Sequence, residues 1–258
     1  MMNIVIFFSI VVLLVFSFKL IINTQGNKLL NFLLATLVLV CSFPYITLVA
    51  YAQSESPFYI LVTMTSTVLA FLVPPVSYLY VRCYLLDEKK LRSSDLLHLI
   101  PFILALLNIF PSLINPVKFT NEVSNGIAFS KDYTSFFYFM PFRFHFIFRS
   151  FVALFYLFLS FRIYVKSLQG DFGKINLIDK VWIAYFLFIR ISFLVLSYLF
   201  SRKVLFSGNM TDYIKSNVSS VPIMLLSMVT YLIFIFSKPN LKFGNTNRGL
   251  ALDNYNNM

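Results

Sequence analysis

Arg190 falls near the middle of an apolar run, Val181–Phe200, and Arg149 lies well inside another, Phe142–Tyr164, with Arg143 and His145 at its head. A central arginine in a hydrocarbon setting costs roughly 2.5–3.5 kcal/mol on insertion scales, so it should face the interior of a helix bundle and find a partner. No acidic residue lies in either run, which leaves tyrosine, serine, backbone carbonyls, or an anionic ligand or lipid. Arg149 and Arg190 stand on consecutive antiparallel segments, so one interior cavity can hold both. Two like charges there call for something anionic or strongly polar between them. Arg143 and His145 are close enough to the outer boundary to reach water by snorkelling. These four are the ligand-binding candidates, with a purely structural role as the other reading of each.

The remaining chemistry is excluded more readily. All ten acidic residues fall in links, helix mouths or the tail, so the intramembrane carboxylates of proton- or sodium-coupled transport are missing. Lys238 stands at the inner end of the last apolar run, too far out for a retinal Schiff base. There is no GxSxG elbow, HExxH pair, phosphate loop or CxxC pair. His98 and His145 belong to opposite faces and cannot build a metal site. The expectation is a protein without catalytic activity, metal or cofactor.

The elements that hold these residues are seven apolar stretches: Asn3–Ile22, Leu29–Tyr51, Phe58–Val81, Leu96–Phe110, Phe142–Tyr164, Val181–Phe200 and Ser220–Phe236. A helix crossing about 30 Å of hydrocarbon needs roughly 20 residues, and only Leu96–Phe110 is markedly short, to be extended through Pro111–Pro116 or met by local thinning. At 59% hydrophobic and 12% charged, with mean hydropathy +0.81, the chain has too little polar surface for a soluble domain. The fold class expected is all-α, a polytopic seven-helix membrane bundle over residues 1–238, with an Asn-rich, disordered cytoplasmic tail over 239–258. The first run lacks a basic n-region and is expected to stay as an anchor.

Basic residues set the orientation. About thirteen flank one face: Lys19, Lys28, Arg82, Lys89, Lys90, Arg92, Arg162, Lys166, Lys174, Lys180, Lys238, Lys242 and Arg248. About five flank the other: Lys118, Lys131, Arg202, Lys203 and Lys215. The positive-inside rule then gives N-out and C-in. The formal net charge of +11 reads as membrane flank rather than as a nucleic-acid surface, because the charges lie at helix ends and not along one stripe. Tyr45, Tyr51, Tyr59, Tyr133, Tyr138, Tyr198 and Tyr213 mark the outer aromatic belt, and Tyr78, Tyr80, Tyr84, Tyr164, Trp182 and Tyr185 the inner one. Cys41 and Cys83 lie at different depths and read as unpaired small apolar packers. The sizeable outer links are Asn115–Tyr133 and Ser201–Ser219.

Local motifs add detail. Pro74-Pro75 in the third run removes two amide donors and predicts a kink. Ser93-Ser94-Asp95 reads as the N-cap of the fourth helix. His98 reads as a hydrogen-bonded anchor for the loop Asp87–Arg92, and Pro101 as a bend in the short helix that follows.

In this order the motifs resemble a family. Pro75-Val-Ser-Tyr78-Leu-Tyr80-Val-Arg82 followed by Asp95-Leu-Leu-His98-Leu-Ile-Pro101-Phe102 is similar to the paired signature in the membrane-embedded half of certain bacterial AraC-type transcription regulators. Asn27-Lys-Leu-Leu-Asn31 resembles that family's entry to its second span, and Lys174 to Ile183 around Trp182 its approach to the sixth. Phe236-Ser-Lys238-Pro239-Asn240-Leu241-Lys242-Phe243-Gly244 resembles its exit from the last. Pro74 stands where the family usually has glycine. No periodic apolar pattern follows Gly244, where the family continues into a DNA-binding helix-turn-helix domain.

The resemblance implies a signal-sensing input module in the bacterial inner membrane, tied to transcription regulation but without sequence-specific nucleic-acid binding of its own. Its expected partners are the lipid bilayer, a small ligand or membrane-borne cue, and a second copy or a separate output protein. The alternative is a carrier or permease-like protein binding an anionic amphiphile or lipid near Arg149 and Arg190. The orientation has a direct check: a reporter fused after Gly244 should be active only in the cytoplasm and one inserted near Gly126 only outside, and the opposite result at both positions overturns N-out, C-in.

Overall fold

The computed structural model describes residues 2–22, 27–50, 57–115, 117, 140, 142–169 and 177–207, and every regular element among them is helical. α1 (Met2–Ile22) and α2 (Lys28–Ala50) form the first hairpin. The third apolar run is two helices, α3 (Pro57–Leu69) and α4 (Val73–Leu86), joined by a turn at 70–72. A 3-10 segment, Ser93–Leu99, leads into α5 (Ile100–Ile114). α6 (Phe142–Leu168) and α7 (Leu177–Ser207) complete the described elements. The expected seventh span, Ser220–Phe236, and the motif residues Lys238, Pro239 and Gly244 lie outside the described residues.

Among the described residues three stretches are long and apolar enough to cross a membrane: Met64–Leu86, Ser93–Pro111 and Ile147–Leu168, of 23, 19 and 22 residues. Their surfaces suit that solvent. On α6, Phe151, Leu154, Phe155, Phe158 and Phe161 are exposed at helical spacing, while Val152, Tyr156 and Ser160 are buried. On α1, Phe7, Phe8, Val11, Leu14, Val15 and Phe18 are exposed against a buried face of Ile10, Leu13, Phe16 and Leu20. A helix that is apolar on both faces belongs in a core or in hydrocarbon.

The prolines act differently from the expected kinks. Pro74 and Pro75 lie in the first turn of α4, and Pro101 in the first turn of α5. A helix leaves its first amides without intrahelical acceptors, so proline loses nothing there and starts the helix with φ already set. The chain therefore breaks before Pro74 rather than bending around it, and Pro101 begins α5 rather than bending it. Regular bonding resumes at once after the prolines, with Leu72 accepting from Val76 N–H at 3.1 Å and Val73 from Ser77 Oγ at 2.6 Å.

α2 packs on α1, α3 and α4, while α6 packs on α4 and α7. The main core joins α1, α2, α4 and α7, and Trp182 and Tyr80 are the largest side chains fully closed off within it. The indole Nε1–H of Trp182 donates to the Tyr80 hydroxyl at 2.9 Å, which satisfies both rings. Tyr80, Tyr84 and Trp182, expected in the inner aromatic belt, are thus core residues: each finds a protein partner for its polar atom and has no need of the headgroup region. Tyr80→Phe leaves the buried indole N–H without its acceptor and should lower stability by about 1–3 kcal/mol in detergent unfolding, with Trp182→Phe on top restoring part of the loss.

Candidate functional site

Two polar clusters stand out in the described bundle. At the end where α4 finishes, Arg82 is buried although it is an arginine, with 8% of its side chain exposed. Its guanidinium meets Asp95 in a two-bond fork, Nη1 to Oδ1 at 2.6 Å and Nη2 to Oδ2 at 2.7 Å. Nε also donates to Glu88 Oε2 at 3.0 Å. Glu88 takes a further bond from the Arg92 guanidinium. Two cations and two anions close a formally neutral node, and planar two-bond pairing of this kind is the strongest geometry available to an arginine.

The backbone is built to deliver these groups. α4 ends at Asp87 in the left-handed conformation, φ 52° and ψ 37°, a region that short polar side chains tolerate. The Cys83 carbonyl accepts from Asp87 N–H and, at 3.0 Å, from Glu88 N–H. That tight exit turns Glu88 back over Arg82. Asp95 is not the N-cap expected of Ser93-Ser94-Asp95. Arg92 holds the cap position, and Asp95, three residues on, reaches back to accept Arg92 N–H at 2.8 Å. Its carboxylate is thereby fixed for Arg82 and buried, with 2% of the side chain exposed.

Other helices join the same end. Asn27 caps α2, its Oδ1 accepting from Leu29 N–H at 2.9 Å, and its Nδ2 donates to the Glu88 carbonyl at 2.8 Å. Tyr84 donates to Asp179 on α7 at 2.6 Å. His98 departs from its expected role: it pairs Nδ1 with the Tyr156 hydroxyl on α6 at 3.0 Å, because the 3-10 segment faces its ring toward α6 and not toward the loop Asp87–Arg92. Tyr78 lies edge-on to His98, centroids 5.1 Å apart, and close to Tyr156 at 5.9 Å. The Arg82 guanidinium stands 6.0 Å from the Tyr78 ring. Tyr78, Tyr80, Asp95, His98 and Trp182, read from sequence as motif residues, thus belong to one neighbourhood.

The second cluster lies where α6 begins. Asn108 of α5 exchanges two bonds with the Met140 backbone, Nδ2 to the carbonyl at 2.8 Å and Oδ1 from the amide at 2.9 Å, and its Nδ2 also donates to His145 Nε2. His145 is 1% exposed and does not snorkel as expected, for Asn108 meets its Nε2 inside the bundle and Phe71 lies edge-on to its ring with centroids 6.0 Å apart. Arg149 lies one turn further along α6. Arg190 places its guanidinium 5.1 Å from the Phe186 ring centroid, and its Nε has no hydrogen-bond partner among the described residues. Arg143 stands in the first turn of α6 with its side chain outside the described set.

Arg82, Glu88 and Asn27 were missed as site residues. The signal was present: Cys83-Tyr84-Leu85-Leu86 continues the apolar run beyond Arg82, so this arginine lies inside the helix and not at its margin, with Glu88 and Asp95 close behind. Among the described residues no group of His, Cys, Asp and Glu is placed to hold a metal ion, and Cys41 and Cys83 are unpaired. Compared with known families, curated proteins and solved structures, the chain matches none.

Truncating one partner of a buried pair strands the other charge and costs about 3–5 kcal/mol, whereas replacing both with apolar residues is close to neutral. Asp95→Ala should therefore destabilise strongly, while Arg82→Met with Asp95→Leu should recover most of the loss. A thermal-unfolding double-mutant cycle with a coupling below about 0.5 kcal/mol would show that the two side chains act independently.

Proposed function

We propose that this chain is a signal-sensing input module of the bacterial inner membrane, with seven spans, N-out and C-in, of the kind implied by its resemblance to the membrane half of AraC-type regulators. The carrying observation is the node around Arg82. It ties the start of α2, the end of α4 and the entry to α5 into one hydrogen-bonded unit, with α7 attached through Tyr84 and Asp179. In the proposed orientation that unit lies at the cytoplasmic end, where an output partner would read it.

A route to the opposite end supports the reading. His145, Phe148, Val152, Tyr156 and Leu159 follow one another on a single face of α6 at spacings of three and four residues. Phe71 and Tyr78 of the α4 region contact that face near its two ends, at His145 and Phe148 and at Tyr156. A shift of α6 against α4 would move both clusters together. Fixed packing on either side of a discontinuous helix makes a two-position element plausible on physical grounds.

The carrier reading has its own observation, the Arg190 guanidinium lying over Phe186 with an unfilled Nε–H that an anionic amphiphile would occupy. One pair of experiments separates them. With a helix-turn-helix output domain fused after Gly244, Asp95→Asn should change reporter transcription at least several-fold, while a core variant of equal instability should not. Uptake of a labelled anionic amphiphile by proteoliposomes, lost in Arg190→Leu and accompanied by an indifferent reporter, would replace sensing with transport.

A further inference from the structure

On the side of α6 next to the node, a cleft of about 220 Å³ opens between α4 and α6, lined by Tyr78, Leu159, Arg162, Ile163 and Lys166. Arg162 and Lys166 stand four residues apart, on one face of α6, and both are exposed. No acidic side chain lines the cleft. Among the described residues the ion pairs are those of Arg82, Glu88, Arg92 and Asp95, and neither Arg162 nor Lys166 takes part. The carboxylates of Asp95 and Glu88, beyond Tyr78, are already engaged by Arg82 and Arg92.

We propose that this cleft is a headgroup site for an anionic phospholipid, with the phosphate between Arg162 and Lys166 and Tyr78 on the opposite wall. Three features select a lipid. The cleft is smaller than the roughly 300–1,000 Å³ that encloses a drug-sized molecule, so it admits a headgroup and not a whole amphiphile. Leu159 and Ile163 give it an apolar side, as the boundary between headgroup and chains requires. Phe151, Phe155 and Phe158 then continue along the exposed face of α6 away from the two cations, offering a track for acyl chains. Basic pockets at the cytoplasmic ends of membrane helices recognise anionic headgroups by this combination of charge and apolar wall.

The site bears on the node because Tyr78 is shared: it lines the cleft and packs against His98 and Tyr156 beside Arg82. The membrane-borne cue of the sensing reading is then the anionic lipid itself, and the inference rests on the chain spanning the membrane in the proposed orientation.

The test uses the full chain purified in mild neutral detergent and mixed with equal amounts of phosphatidylglycerol and phosphatidylcholine, with retained lipid measured by native mass spectrometry. Phosphatidylglycerol should be held preferentially. Arg162→Gln with Lys166→Gln should weaken its retention roughly 30-fold, the weight of two near-surface basic residues. Arg162→Lys with Lys166→Arg should hold it. In the unaltered chain, added salt should release phosphatidylglycerol and leave phosphatidylcholine untouched, a readout that needs no variant. Retention without headgroup preference, or unchanged in the neutral pair, overturns the proposal, and displacement of the lipid by inorganic phosphate alone would assign the cleft to free phosphate instead. Headgroup-selective retention beside a silent reporter fusion would sink the sensing reading and leave this one standing.

Discussion

A guanidinium shut inside an apolar bundle can stay charged only if it is fully paired, and the arrangement around Arg82 is the consequence of that constraint. Asp95 must be held rigidly enough to offer both oxygens, so the chain enters α5 through a 3-10 segment with Asp95 bonded back to Arg92. Glu88 must come within reach of Nε, so α4 ends in a left-handed residue that reverses the chain at once. Asn27 then takes up the Glu88 carbonyl and ties in the first hairpin. Each local irregularity at this end is explained by the charge it serves.

Such a node adds little net stability over an apolar replacement, because desolvation offsets much of the attraction. What it supplies is specificity of arrangement. Apolar helices in a bilayer pack on one another with little hydrophobic preference over lipid, so close packing and polar contacts decide which faces meet. The Arg82–Asp95 fork, the Trp182–Tyr80 bond and the Asn108–His145 contact each fix one pair of elements and leave the remaining apolar faces free for hydrocarbon.

The helices were legible in the sequence because apolar runs of bilayer length have few other readings: the described boundaries of α1 and α2 fall within one residue of the expected ones, while α6 runs on to Leu168 and α7 spans Leu177–Ser207, past the expected bounds. The break at 70–72 was not, since two adjacent prolines fit equally a kinked helix and a new helix beginning at its first turn. Distinguishing them depends on whether Ala70, Phe71 and Leu72 find tertiary support, and Phe71 finds it against His145 and Phe148, contacts far away in sequence. Trp182, Tyr80 and Tyr84 were assigned to the interface because aromatic rings near helix ends usually meet water, yet a ring whose polar atom is satisfied within the bundle has no such need. Lys238, Pro239 and Gly244 lie beyond the described residues, so their motif adds nothing to the site's geometry.

Arg82 also alters what the count of basic residues means. That count treats every lysine and arginine near a helix end as a free charge facing one compartment, whereas Arg82 is cancelled by Asp95 and Glu88 before any lipid or solvent meets it. The asymmetry survives its removal, because Lys89, Lys90, Arg162, Lys166 and Lys180 remain on that side without an ion pair among the described residues. The two kinds of basic residue then do different physical work. The paired one sets how α4 meets α5, and the unpaired ones leave their charge uncompensated beside that junction. Tyr78 stands between the two groups, lining the cleft with Arg162 and Lys166 and lying 6.0 Å from the Arg82 guanidinium.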